Sequence, residues 1–130
     1  ELVKAIEGCR ILISNDYELD LITSKTGLKK GDLLRLANNI IVTMGEQGSR
    51  IFTPDTEICI PAVKPREVVD PTGAGDAYRG GLISGLVRGN SIEQCARMGS
   101  VCASFAVECY GTQEYKFSPE EFKERLNGCF

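Results

Sequence analysis

Two glycines and two carboxylates fall within eight residues, Asp70-Pro71-Thr72-Gly73-Ala74-Gly75-Asp76-Ala77. An apolar pair, Val68 and Val69, precedes them and a small-residue segment follows. A strand that feeds a glycine-rich turn into a helix start aims unpaired N–H groups and the positive helix end at one spot. Such a spot binds anions, phosphate above all. Gly73 and Gly75 let the backbone approach a phosphate where a Cβ would block it. The N–H groups of Gly73, Ala74, Gly75 and Asp76 then suit charge developing on a transferring phosphoryl group. Asp76 puts a carboxylate beside that spot, where it repels a bound anion. One reading makes it the general base that takes a proton from an attacking hydroxyl. The other makes it an acid favoured in the first turn of any helix. The complete octet favours the base. Asp70, six residues earlier, reads on residues alone as an aspartate closing its own loop.

Three further stretches carry polar groups at useful spacing. Asn15-Asp16-Tyr17-Glu18 has the capping-box pattern, Asn with Glu three residues on. Thr43-Met44-Gly45-Glu46-Gln47-Gly48 ends a β-branched run with glycines suited to a hairpin turn. Gly111, before Thr112 and Gln113, suits a helix C-cap. Histidine is absent, which removes Ser-His and Cys-His catalysis and leaves acid–base work to carboxylates, lysine, tyrosine or water. The six cysteines (9, 59, 95, 102, 109, 129) include no Cys-x-x-Cys pair, which argues against a zinc site. Cys95, Cys102 and Cys109 recur every seven residues and read as small buried groups on one helix face. There is no Gly-Lys-Ser or Gly-Lys-Thr, so this is not a P-loop ATPase.

The octet with Gly80-Gly81 behind it resembles the second signature of the ribokinase-like (PfkB) family of carbohydrate and nucleoside kinases. Asn15-Asp16-Tyr17-Glu18 resembles that family's Asn-x-x-Glu motif, and Thr43 to Gly48 its nucleotide-side strand and turn. The resemblance implies an α/β fold, a three-layer α/β/α sandwich on a mostly parallel sheet. Residues 1–130 would be the C-terminal, nucleotide-side part of a single such domain. It implies ATP, Mg²⁺ and a monovalent cation, commonly potassium. Asp76 would be the base, and the Gly73, Ala74, Gly75 and Asp76 backbone the anion hole. Thr43, Gly45, Gly48, Gly111 and Gln113 would meet the nucleotide. Asn15 and Glu18 would orient water on magnesium, and Asp70 with the Thr72 carbonyl would hold the monovalent cation. The acceptor would be a sugar or a nucleoside; the motifs look most like the adenosine-kinase-like branch. Family members run to about twice this length or more, so the chain is expected to be a fragment without acceptor pocket, lid or activity of its own, and a homodimer is an option for the full-length protein. Pro71 and Tyr78 stand where Thr and Phe are more usual; Arg79, near the phosphates, reads either as a charge supporting the site or as simply exposed, and exposure is expected. One rival is a non-catalytic nucleotide-sensing domain that kept the fold. Another, a glycine-rich oxidoreductase, is disfavoured because Gly73-x-Gly75 lacks the third glycine at dinucleotide-fold spacing.

The bulk numbers frame these sites. At 130 residues the chain is one domain at most, large enough for a real core. Charge is interspersed and nets −3, with no basic stripe, which disfavours nucleic acid. No apolar run approaches the roughly 18 residues of a membrane span, and no signal-like start is present. Reduced thiols in a cytoplasmic setting are expected. Strands are predicted over 10–13, 40–44, 50–53 and 57–61, the last near a sheet edge because of Pro61. Helices are predicted over 15–25, 32–38 and 74–88, and from 92 to about 108. A final helix opens at Pro119 behind the capping box Ser118-Pro119-Glu120-Glu121. Gly80, Gly81 and Gly85 in one helix suggest that something approaches closely, with Ala77, Gly81 and Gly85 forming a thin face against a sheet.

Overall fold

The computed structural model describes residues 1–130, which divide into two compact units, Glu1–Cys59 and Ile60–Phe130. The first unit starts with helix α1 (Leu2–Ile6) and strand β1 (Leu12–Asn15). Helices α2 (Asp16–Thr26) and α3 (Lys30–Leu36) cross over to strand β2 (Ile40–Thr43). A tight turn, Gly45–Gln47, reverses the chain into β3 (Ser49–Phe52), and β4 (Glu57–Ile60) follows. The sheet order is β1-β2-β3-β4, so β4 is an edge, as Pro61 predicts. β1 and β2 run parallel, with Leu12 opposite Ile40 and Asn15 opposite Thr43. β2 and β3 run antiparallel, Ile40 opposite Phe52. The sheet in this chain is therefore mixed: a helical crossover permits the parallel pair and a short turn enforces the antiparallel one.

β-Branched residues dominate β2, and Ile40, Ile41 and Val42 are all buried. Ile40, Val42 and Phe52 close a core with Ile6, Leu33 and Ala37, onto which Leu12, Leu19 and Ile22 pack. Lys30 lays its ammonium 3.7 Å from the Phe52 ring centroid. Gly27 closes α2 in the left-handed conformation, φ 70°.

The second unit is helical: α4 (Ala74–Val87), α5 (Ile92–Ala106) and α6 (Pro119–Cys129). Ser91 and Ser118 each form the capping box that the sequence predicts. α4 lies on α5 through glycine. A Cβ at Gly81 would stand 2.7 Å from the Met98 carbonyl oxygen, and one at Gly85 2.9 Å from Cys95 Sγ. One at Gly99 would stand 2.8 Å from the Tyr78 carbonyl oxygen. The thin face of α4 thus meets a helix rather than the expected sheet, and Gly80 faces open space with nothing within 4 Å.

α6 is fastened to α5 by Arg125. Its guanidinium donates to both Glu108 carboxylate oxygens at 2.8 and 3.1 Å and to Ser104 Oγ at 3.0 Å. It also lies 3.6 Å from the Phe105 ring centroid. Burial pushes the Glu108 carboxyl up, but hydrogen bonds from Arg125 and the Arg66 N–H, with the charge of both arginines, hold it below its ordinary range. α5 ends at Ala106, short of the predicted 108, because the next residues are engaged elsewhere. The Val107 carbonyl accepts the N–H groups of Val69 and Asp70 at 2.8 and 3.2 Å. The six thiols form no disulfide. Cys95 and Cys102 are buried, and burial pushes the Cys102 thiol up to about 11. Cys109 lies past the helix end, half-buried, outside the predicted face. No helix is long and apolar enough to cross a membrane.

Candidate functional site

The octet forms a turn that opens α4. Gly73 is the N-cap, with φ 85°, a left-handed conformation that favours glycine. Its position is also crowded: a Cβ there would stand 3.0 Å from the Thr112 Cα. No strand leads in. Val68 and Val69 lie in irregular chain and are 59% and 46% exposed, so the hydrogen bonds to Val107, not a sheet, hold the entry to the turn. The helix start remains, with the Gly73, Gly75 and Asp76 N–H groups ahead of the first helical hydrogen bond, whereas the Ala74 N–H, expected in the same anion hole, donates to the Pro71 carbonyl at 3.3 Å.

Asp70 ties the turn together. One carboxylate oxygen accepts the Thr72 N–H at 2.9 Å and the other the Gly111 N–H at 3.0 Å. The first bond is the loop-closing aspartate expected on residues alone; the second joins the octet to the Gly111-Thr112-Gln113 loop across 41 residues. Hydrogen bonding from Thr72, side chain and backbone, and then from Gly111 holds the Asp70 carboxyl below its ordinary 3.8. Gly111 has φ 89°, and Thr112 and Gln113 are exposed beside it. The structure therefore brings Asp70, Thr72, Gly73 and Gly111 together.

Asp76 projects from the first turn of α4 with its side chain 81% exposed. Its Oδ1 accepts from Arg79 at 3.1 Å. Arg79 is 39% exposed and paired, which corrects the expectation of a simply exposed residue. The one sequence signal for it was the i, i+3 spacing of opposite charges.

In the first unit, Asn15 caps α2. Its side chain accepts from the Glu18 N–H at 2.6 Å, and Glu18 Oε2 accepts from the Asn15 N–H at 2.9 Å. The capping reading of these residues is thus realised. Asn15 also stands opposite Thr43 at the carboxyl ends of the parallel pair, where open α/β sheets bind ligands. Thr43 Oγ1 donates to the Ser14 carbonyl at 3.4 Å. Gly45 and Gly48 take φ 55° and 85° in the turn that follows, closed by the Met44 N–H on the Gly48 carbonyl at 2.8 Å.

No group of three or more His, Cys, Asp or Glu side chains gathers to hold a metal. The donor chemistry fits magnesium bound the way nucleotide enzymes bind it, through one carboxylate, water and phosphate oxygens rather than an all-protein cage. Glu18 would be the carboxylate for that role. Asp70, kept ionised by its two donors, fits a monovalent cation together with the Thr72 carbonyl.

Residues 1–119 match the pfkB family of carbohydrate kinases. The chain belongs to this family. Among curated PfkB-type relatives, the nucleoside kinase of Methanocaldococcus jannaschii is 38% identical over 125 residues, covering 96% of this chain and 41% of that protein. The nucleoside kinase of Methanothermobacter thermautotrophicus is 43% identical over 114 residues, covering 87% and 36%. The chain thus spans about two-fifths of the length of these relatives. The crystal structure of the M. jannaschii enzyme, an archaeal member of the ribokinase family, superposes with a TM-score of 0.93 over 98% of this chain and 42% of that one. The Burkholderia thailandensis nucleoside kinase in complex with inosine superposes at 0.95, with 34% identity, over 99% and 43%. The fold is ribokinase-like, and the chain is part of it.

Proposed function

We propose that this chain forms the nucleotide side of a kinase that moves the γ-phosphoryl of MgATP to a hydroxyl of a nucleoside, with sugars as the neighbouring acceptor class. The observation that carries the reading is the Gly73 turn. Its N–H groups open α4, Asp76 stands exposed on the first turn, and Asp70 anchors the turn to Gly111. The nucleoside kinases among the relatives favour a nucleoside acceptor.

Phosphoryl transfer needs positioning and charge stabilisation more than covalent chemistry. The N–H groups of Gly73, Gly75 and Asp76, joined by that of Ala74 if it leaves the Pro71 carbonyl, stabilise charge on the transferring group. Asp76 takes the proton from the acceptor hydroxyl. Thr43, Gly45 and Gly48 in the first unit and Gly111 and Gln113 in the second would meet the nucleotide, the positive φ of the three glycines keeping backbone groups accessible. Glu18 would hold magnesium through water, and the ion would supply positive charge for the phosphate oxygens. Asp70 and the Thr72 carbonyl would hold a monovalent cation that supports the anion hole, and potassium titration of the rate tests it. A cytosolic setting fits six thiols without a disulfide.

The test is Asp76→Asn in the complete gene product that carries this chain. It is expected to bind MgATP and to lose roughly 10²- to 10⁴-fold in kcat. Near-normal turnover overturns the base assignment. MgATP binding without turnover on any acceptor, in the unsubstituted protein, would favour a nucleotide-sensing domain instead.

A further inference from the structure

Asp76 creates a difficulty for the site it serves. A carboxylate on the first turn of α4 weakens the field with which the helix start attracts a nucleotide's phosphates. Asp70 adds a second negative charge to the same turn. Between residues 67 and 87 the sequence supplies one basic side chain, Arg79. The structure places it on Asp76, Nη1 to Oδ1 at 3.1 Å. The same Nη1 also lies 3.7 Å from where a Cβ on Gly75 would stand, the nearest atom outside the local backbone. The guanidinium thus lies against both the carboxylate and the glycine turn.

We propose, resting on the kinase reading above, that Arg79 is a positioning residue: it pairs Asp76 so that this carboxylate does not repel the nucleotide phosphates. Arg suits the task because its planar fork holds a carboxylate by hydrogen bonds and stays charged at all working pH values. Arg79 is much less exposed than Asp76, 39% against 81%, so the arginine is the anchored partner and the carboxylate the mobile one. Asp76 can then exchange Arg79 for an acceptor hydroxyl once the nucleotide is bound. An ordinary surface pair at this spacing would contribute little and serve no ligand.

The two roles separate in a double-mutant cycle on the complete gene product. The probe is the magnesium complex of adenylyl imidodiphosphate, whose binding is measured by calorimetry. Arg79→Gln is expected to weaken binding by about threefold to tenfold at low salt, with the loss shrinking as salt screens the charges. Arg79→Lys is expected to retain most of the affinity. In an Asp76→Asn background the same Arg79→Gln change is expected to have no further effect, because the repulsive carboxylate is gone. Unchanged affinity in Arg79→Gln overturns the proposal and leaves a surface ion pair. Equal weakening in both backgrounds overturns it in favour of a direct arginine–phosphate contact. Failure of the unsubstituted protein to bind the probe overturns the kinase reading itself, a result distinct from either.

Discussion

Asp70 does more than its place in a signature suggests. It spends one oxygen on its own loop and the other on Gly111, so its charge links two segments that are 41 residues apart. Hydrogen bonds to the ionised form lower the folded carboxyl below its ordinary 3.8. The sign follows: a depressed carboxyl contributes stability that is complete above the ordinary value and is lost as pH falls through the folded one. The melting temperature of Asp70→Asn is therefore expected to lie below that of the unsubstituted chain at pH 6. The gap should close on acidification toward pH values below the ordinary carboxylate range; a gap that stays constant with pH contradicts the charge-based link. Glu18 carries a second residue-scale prediction. Glu18→Gln keeps an oxygen for the Asn15 N–H, so α2 should stay capped, while the Mg²⁺ concentration needed for half-maximal rate rises. An unchanged Mg²⁺ requirement would return Glu18 to capping alone.

Glycine arithmetic decides the helical unit. Gly81 meets a carbonyl, a sulfur and a backbone carbon of α5, whereas its neighbour Gly80 meets nothing. Both cost helix propensity, so alanine should have opposite effects at the two positions. Gly80→Ala is expected to stabilise by about 0.5–1 kcal/mol. Gly81→Ala is expected to destabilise by about 1–3 kcal/mol through overpacking. Equal signs in thermal or urea denaturation would contradict the packing described. Arg125 offers a second element-scale test, since Arg125→Met leaves Glu108 without its fork while keeping much of the stem against Phe105. A loss of about 1–3 kcal/mol is expected, and a loss within error would show that the pair contributes nothing.

Across the whole molecule, what is local in the sequence is what it made legible. Capping boxes at Asn15, Ser91 and Ser118 depend on residues three apart, and all three form as the spacing predicts. The strands and the β4 edge follow from β-branched runs and Pro61, within a residue or two. Long-range partners were not legible. The helix that fills the groove of Gly81 and Gly85 lies a turn and more downstream, and glycine spacing names no partner. The Asp70–Gly111 bond and the hydrogen bonds that replace a strand before the octet join segments whose meeting depends on how α4 and α5 pack. The antiparallel half of the sheet was visible as a turn at Gly45, while the resemblance pointed to a mostly parallel sheet; in this chain the turn sets the pairing of β2 with β3. Asp76 was singled out by its octet, while its pairing with Arg79 was signalled only by the i, i+3 spacing of opposite charges.

The central claim is that the turn opening α4 serves phosphoryl transfer to a hydroxyl. It is tested most directly by ADP release from the complete gene product with MgATP. The acceptors would be adenosine, inosine, other nucleosides, ribose, fructose and fructose phosphates, with Asp76→Asn run alongside. The account predicts turnover on a nucleoside that the substitution abolishes. Turnover that survives Asp76→Asn, or none on any acceptor despite bound ATP, would contradict it.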